Sequence, residues 1–192
     1  WYRNSDDTWS FVYERISRTN ASGAEYRYKV EEEVPKDYRV SYSKDSDGNQ
    51  VLLENVGDGS LTLTKEVTGS GGEPFREFHF TITVGTLPDG SKLPDGVYGE
   101  VSFRDGKAAI TLKSGESVRA DHLPGMVSYT VTEEEANLDR YRTTSEADQG
   151  VIQPFAVTEV KFTNSRTSDD KDRPVKPSPA NTTTTGYGPG AI

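Results

Sequence analysis

An all-β sandwich is the fold class that this 192-residue chain predicts, on three observations. Short runs of Val, Thr, Tyr and Phe alternate apolar and polar residues with period two, as half-buried strands do. Clusters of Gly, Asp, Asn and Pro separate them as turns. No segment carries a long apolar stripe at the 3.6-residue period of a helix, which leaves sheet packed on sheet as the way to bury the apolar faces.

The strand candidates in order are EYRYKV at 25–30, QVLLENV at 50–56, FHFTITV at 78–84, KAAITL at 107–112, VSYTVTE at 127–133 and TEVKFTN at 158–164. Turn chemistry lies between them: DSDGN at 45–49, LPDG at 87–90 and again at 93–96, RDGK at 104–107, KSGE at 113–116 and LPG at 123–125. VGDGS at 56–60 is the expected domain boundary, giving a first domain over 1–57 and a second over 58–166. Residues 167–192 are rich in Pro, Thr, Ser and Gly, have almost nothing to bury, and read as a disordered linker.

Composition narrows the function classes. The chain is 32% hydrophobic and 28% charged, with a net charge of −9, which argues against nucleic acid or an anionic membrane surface as partner. No apolar run approaches a membrane span and no signal peptide opens the sequence. Residue 1 is Trp rather than Met, so a piece of a longer protein is expected. Cysteine is absent, and an extracellular β domain without disulfides needs another means of stabilisation.

The alternation supplies a candidate for that means. In SLTLTKEV (60–67), Leu61, Leu63 and Val67 share a face, and Lys65 falls on it. In VSYTVTE, Glu133 shares a face with Val127, Tyr129 and Val131; in the last strand Asn164 shares one with Val160 and Phe162. A lone polar residue at a strand end ordinarily leans out to water. Three complementary groups on three inward faces point elsewhere, since a buried charge needs a partner. Burial lowers the pKa of an amine and raises that of a carboxyl. A neutral Lys amine can then attack a carboxamide carbon while a carboxylic acid polarises the carbonyl and passes a proton to departing ammonia. The product is a Lys–Asn isopeptide bond, formed once and never turned over.

The stretches LTLTKEVTGSGG (61–72), FHFTITV (78–84), DGVYGEVSF (95–103), ITLKSGESV (110–118), LPGMVSYTVTE (123–133) and VKFTNS (160–165) resemble the pilin isopeptide-linkage domain of Gram-positive surface proteins, a relative of the collagen-adhesin B-type (Cna B-type) repeat. The resemblance implies an immunoglobulin-like, Cna B-type β-sandwich. It also implies that Lys65 and Asn164 are the cross-linked pair and Glu133 the proton shuttle. The region before residue 57 is similar to the C-terminal half of a Cna B-type repeat, a partial second sandwich in which Glu32 and Asn55 match the acid and the amide. The matching Lys belongs to a first strand that is not in this sequence, and neither Lys29 nor Lys36 replaces it by motif. That site is expected to be incomplete.

Other signals carry less. DSDGN has the look of a calcium loop but lacks the later bidentate Glu, and a turn is the better reading; no metal and no cofactor is expected. His79 lies on the strand face opposite Phe78 and Phe80, His122 in a loop before LPG, and no nucleophile motif accompanies them. The LPDG copies do not continue as a sortase signal, so any anchor is expected outside these residues. The sequons NAS at 20–22 and NTT at 181–183 are irrelevant in a bacterial protein.

The leading expectation is a structural stalk module of a cell-wall-anchored, extracellular adhesin or pilus protein, not an enzyme. Its partners would be neighbouring domains of the same protein, host matrix or other pilus subunits. The alternative is a binding module for collagen, another matrix protein or a glycan. That would use an exposed aromatic patch, for which Trp1, Trp9 and the Tyr cluster are the candidates.

Overall fold

The computed structural model describes residues 2–44 and 51–169. The DSDGN turn and all but the first three residues of the expected linker lie outside them. Among the described residues every regular element is a strand. In chain order these are β1 (Tyr2–Arg3), β2 (Trp9–Ser10), β3 (Tyr38–Lys44), β4 (Val51–Thr68), β5 (Phe78–Val84), β6 (Gly96–Tyr98) and β7 (Val101–Phe103), then β8 (Lys107–Leu112), β9 (Ser117–Pro124), β10 (Ser128–Glu133), β11 (Arg142–Glu146), β12 (Gln149–Val151) and β13 (Val157–Ser165). Among the described residues no helix is long and apolar enough to cross a membrane.

Two compact units divide after Glu33. In the first, β1 and β2 pair antiparallel. The alternating EYRYKV stretch does not become a strand there: an isolated bridge joins Thr19 to Glu25, and 26–30 are irregular. A strand needs a ladder to hold it extended, and one bridge leaves Tyr26 and Tyr28 about half exposed.

The second unit holds the sandwich. One sheet runs β12-β10-β5-β8; the other runs β11-β13-β4, with β9 pairing the later half of β4 and β3 its earlier half. Nearly all pairs are antiparallel, but β13 and β4, the last and first strands of the sandwich, lie parallel over nine residue pairs. Inward faces read as the alternation predicts: Phe78, Phe80, Ile82 and Val84 on β5, Tyr129 and Val131 on β10, Val160 and Phe162 on β13, all buried. Phe80 meets Phe162 edge-to-face at 5.3 Å, joining one sheet to the other. Burying each such side chain stabilises by roughly 1.5–3 kcal/mol.

The chain passes through VGDGS without a break, since β4 extends over it. The glycines serve close approach rather than bending. A Cβ on Gly59 would lie 2.3 Å from the carbonyl oxygen of Gln153, and one on Gly57 would meet the Phe155 ring at 2.1 Å. His122 belongs to β9 rather than to a loop. It sits at a bulge where the β4–β9 register shifts between Gly59 and Leu61, with φ of 56°. An extra residue in one strand accounts for both the shift and the backbone geometry.

Candidate functional site

Lys65 lies near the end of β4, where Leu61 and Leu63 precede it on the buried face. Asn164 occupies the matching stretch of β13. The parallel register sets Lys65 opposite Phe162 and Asn164 opposite Val67, so the two polar residues are diagonal neighbours on one inward face. Glu133 ends β10 in the facing sheet, opposite Phe80 of β5. These are the three buried polar or charged residues among the described ones.

One carboxylate joins them. Lys65 Nζ donates to Glu133 Oε2 at 2.9 Å, and Asn164 Nδ2 donates to Glu133 Oε1 at 2.5 Å. Beneath the amine lie two rings, with Nζ 4.3 Å from the Phe78 centroid and 5.8 Å from that of Phe80. Burial pushes the Lys65 pKa below the ordinary 10.5, against the opposing hydrogen bond and charge of Glu133. A buried ion pair is an expensive way to fill a core, and apolar residues of the same volume commonly stabilise as much or more. The Asn164 Oδ1 is also buried and accepts no hydrogen bond. An unsatisfied buried acceptor costs about 1–3 kcal/mol.

The sequence pattern named Lys65, Glu133 and Asn164, and the structure brings the three together. It did not name Phe78 and Phe80 as the floor beneath the amine, although both stand on the inward face of β5. Glu32 lies in an irregular stretch of the first unit, and Asn55 is exposed on β4 of the second, opposite Val40. The histidines stand beside surface carboxylates: His79 Nδ1 is 2.6 Å from Glu135 Oε1, and His122 Nδ1 is 3.2 Å from Asp37 Oδ1.

Residues 59–166 match a family described as a domain of unknown function, DUF7601. The chain belongs to this family. Residues 2–55 match the Cna protein B-type domain. Among curated relatives, a pilin of Streptococcus pyogenes serotype M1 is 29% identical over 149 residues, covering 70% of this chain and 43% of the pilin. The pilus tip adhesin Cpa of Streptococcus pyogenes is 42% identical over 77 residues, covering 38% of this chain and 11% of the adhesin. The chain therefore spans less than half the length of either. A solved structure of a pilus-presented adhesin, also Cpa, is 28% identical with a TM-score of 0.49, over 60% of this chain and 30% of that one. The DUF7601 chain is thus homologous to streptococcal pilins and to a pilus adhesin.

Proposed function

We propose that residues 58–166 form a self-cross-linking stalk domain of a Gram-positive pilus or adhesin, closed by an isopeptide bond between Lys65 and Asn164. The observation that carries this reading is the single carboxylate of Glu133 held between a buried amine and a buried carboxamide. Glu133 takes a proton from the Lys65 ammonium, leaving a neutral amine. The carboxamide of Asn164 turns so that Oδ1 rather than Nδ2 meets the protonated Glu133 and accepts its hydrogen bond, and the Nζ lone pair attacks Cγ. A proton from Nζ then passes by way of Glu133 to Nδ2, the Cγ–Nδ2 bond breaks, and ammonia departs. The balance is one amine plus one carboxamide giving one secondary amide and one ammonia. Orientation by folding can supply about 7–11 kcal/mol of such a barrier, and the apolar walls keep the amine from solvation.

On this reading the domain performs a single turnover on itself and is not an enzyme. Its division from a partial Cna B-type domain over 1–57 and a linker over 167–192 follows the same reading. So do its partners, the neighbouring domains and other pilus subunits, and its place outside the cell on the wall. A ligand-binding module is the second reading, favoured by the exposed Trp9 and Tyr13 of the first unit.

The test is an intact mass of the purified chain with peptide mapping. The mass should fall one ammonia short of the sequence, with a branched peptide joining Lys65 to Asn164, and Glu133→Ala should keep the fold with the full mass. A folded wild-type chain of full mass would overturn the proposal.

A further inference from the structure

Four chain segments carry the groups of the site, and each returns side chains to one point at the same end of the sandwich. Glu73 follows β4 and Lys65; Arg76 stands two residues before Phe78 of β5; Asp139 and Tyr141 follow β10 and Glu133; Arg166 comes two residues after Asn164. Tyr141 is buried, and its ring meets Phe78 edge-to-face at 5.7 Å, the same ring that lies under the Lys65 amine. Over Tyr141 stand two guanidiniums, that of Arg166 4.6 Å from the ring centroid and that of Arg76 5.6 Å from it.

Both guanidiniums are fixed in place. Arg76 Nη2 donates to Asp139 Oδ2 at 2.5 Å, and its Nη1 lies 3.6 Å from Glu73 Oε2. Arg166 Nη2 lies 3.2 Å from Glu73 Oε1, while Nε donates to the Gly71 carbonyl at 2.5 Å and Nη1 to the Asp139 carbonyl at 3.3 Å. The Glu73 backbone N–H donates to the Tyr141 hydroxyl at 3.0 Å. The glycines of GSGG make room for this. Gly69 has φ of 87°, and a Cβ there would lie 2.3 Å from the Arg166 carbonyl oxygen; one on Gly71 would lie 2.9 Å from Thr167.

Such a network adds little to stability through its charges, because Glu73 and Asp139 are roughly half exposed and ion pairs of that kind contribute about 0–1 kcal/mol. Its geometry is more specific than its energy. A planar fork reaching two carbonyls and a carboxylate while stacked on a ring fixes position in a way a lysine cannot. It also packs on the Phe78 ring that the Lys65 amine overlies, through the Tyr141 ring and the Arg76 guanidinium 5.4 Å from the Phe78 centroid.

We propose that this cap is the positioning device of the cross-linking reaction, with Arg166 and Tyr141 as positioning residues that hold Asn164 and the Phe78 floor in register with the Lys65 amine and keep water out. The inference rests on the reading that Lys65 and Asn164 react. The cap's closure sets the rate of bond formation after the sheets have paired, and neither residue touches the reacting atoms.

The experiment uses the full chain, recovered unlinked under denaturing conditions and refolded by dilution. Folding is followed by far-UV circular dichroism, and ammonia loss by intact mass in quenched samples. Tyr141→Phe keeps the ring and removes the acceptor of the Glu73 N–H; Arg166→Lys keeps the charge and removes the fork; Arg166→Met removes both. Each should fold at close to the wild-type rate and then lose ammonia more slowly by about ten- to a hundredfold, the order that misplacement by an ångström produces. If Arg166→Met does not fold, Tyr141→Phe and Arg166→Lys decide. Wild-type rates of ammonia loss in the folded variants would overturn the cap's role and leave the cross-link standing. A wild-type chain that folds and loses no ammonia would overturn both.

Discussion

Lys65 and Asn164 stand on neighbouring parallel strands, two register positions apart, and both donate to Glu133 in the facing sheet. The first strand of the sandwich is thereby set beside the last, pointing the same way. A bond between them would close nearly the whole domain into one covalent loop, whose two exits lie at opposite ends of the paired strands. Tension entering β4 would pass across the bond into β13 and bypass the ladders between.

The first prediction concerns that path. By analogy with a disulfide closing a loop of about 100 residues, the bond should stabilise by about 4.7 kcal/mol through the unfolded chain. Asn164→Ala should then lower Tm by roughly 20 °C or more. In single-molecule pulling the variant should release residues 66–163 and the wild type should not. A wild-type domain that lengthens as fully as the variant would sink the stalk reading.

A second prediction is the pH dependence of bond formation. Burial depresses the folded Lys65 pKa from 10.5, and the neutral amine is the nucleophile. The rate of ammonia loss on refolding should be highest while Lys65 and Glu133 hold one proton between them, and should fall as pH rises through that depressed pKa, whereas an ordinary lysine acting without the acid would go on rising to 10.5. Linkage has the matching sign. Between the depressed pKa and 10.5 the unfolded chain binds the extra proton, so the unlinked fold gains stability as pH rises through that window. A rate that keeps rising to the ordinary lysine value would show a solvated amine.

The surface pair His79–Glu135 gives an opposite sign. Hydrogen bonding to Glu135 raises the His79 pKa above 6.5. Its stabilisation should be fully present below 6.5 and lost as pH climbs through the raised folded value. His79→Gln should therefore narrow the gap in denaturation midpoint between mildly acidic and mildly alkaline buffer. An unchanged gap would remove His79 as its source.

The glycines inside β4 separate close approach from flexibility. A Cβ on Gly59 meets backbone, the Gln153 carbonyl oxygen at 2.3 Å, whereas one on Gly57 meets the Phe155 side chain, which is 65% exposed and can swing away. In the Asn164→Ala background, Gly59→Ala should cost about 1–3 kcal/mol and Gly57→Ala distinctly less, read from urea midpoints. Equal small costs would show that neither glycine is held by close approach.

Asn55 should remain an ordinary amide. It is exposed on β4, outside any apolar core that would hold an attacking amine neutral. Peptide mapping should find residues 51–56 unmodified and one ammonia lost per chain rather than two. A branched peptide at Asn55 would show that an exposed amide also reacts.

The fate of the inward faces was legible in the sequence. Period two is a property of the strand itself, so Leu61, Leu63 and Lys65, or Tyr129, Val131 and Glu133, share a face wherever their strand docks. That sufficed for an all-β sandwich and for placing Lys65, Glu133 and Asn164 on buried faces. The same pattern misled over EYRYKV, because alternation says which residues share a face and nothing about whether a partner strand exists to hold the segment extended. It also left His122 in a loop, since a bulge is a property of two strands' register and not of one. Tertiary structure alone decided that β4 and β13 are parallel neighbours, that Phe78 and Phe80 floor the amine, and that Glu73, Arg76, Asp139, Tyr141 and Arg166 meet one another around the Tyr141 ring. These are long-range relations, joining residues up to 97 positions apart (Lys65 to Phe162), and local pattern carries no signal of them. Sequence determines which groups must be buried; the pairing of strands determines which buried groups meet.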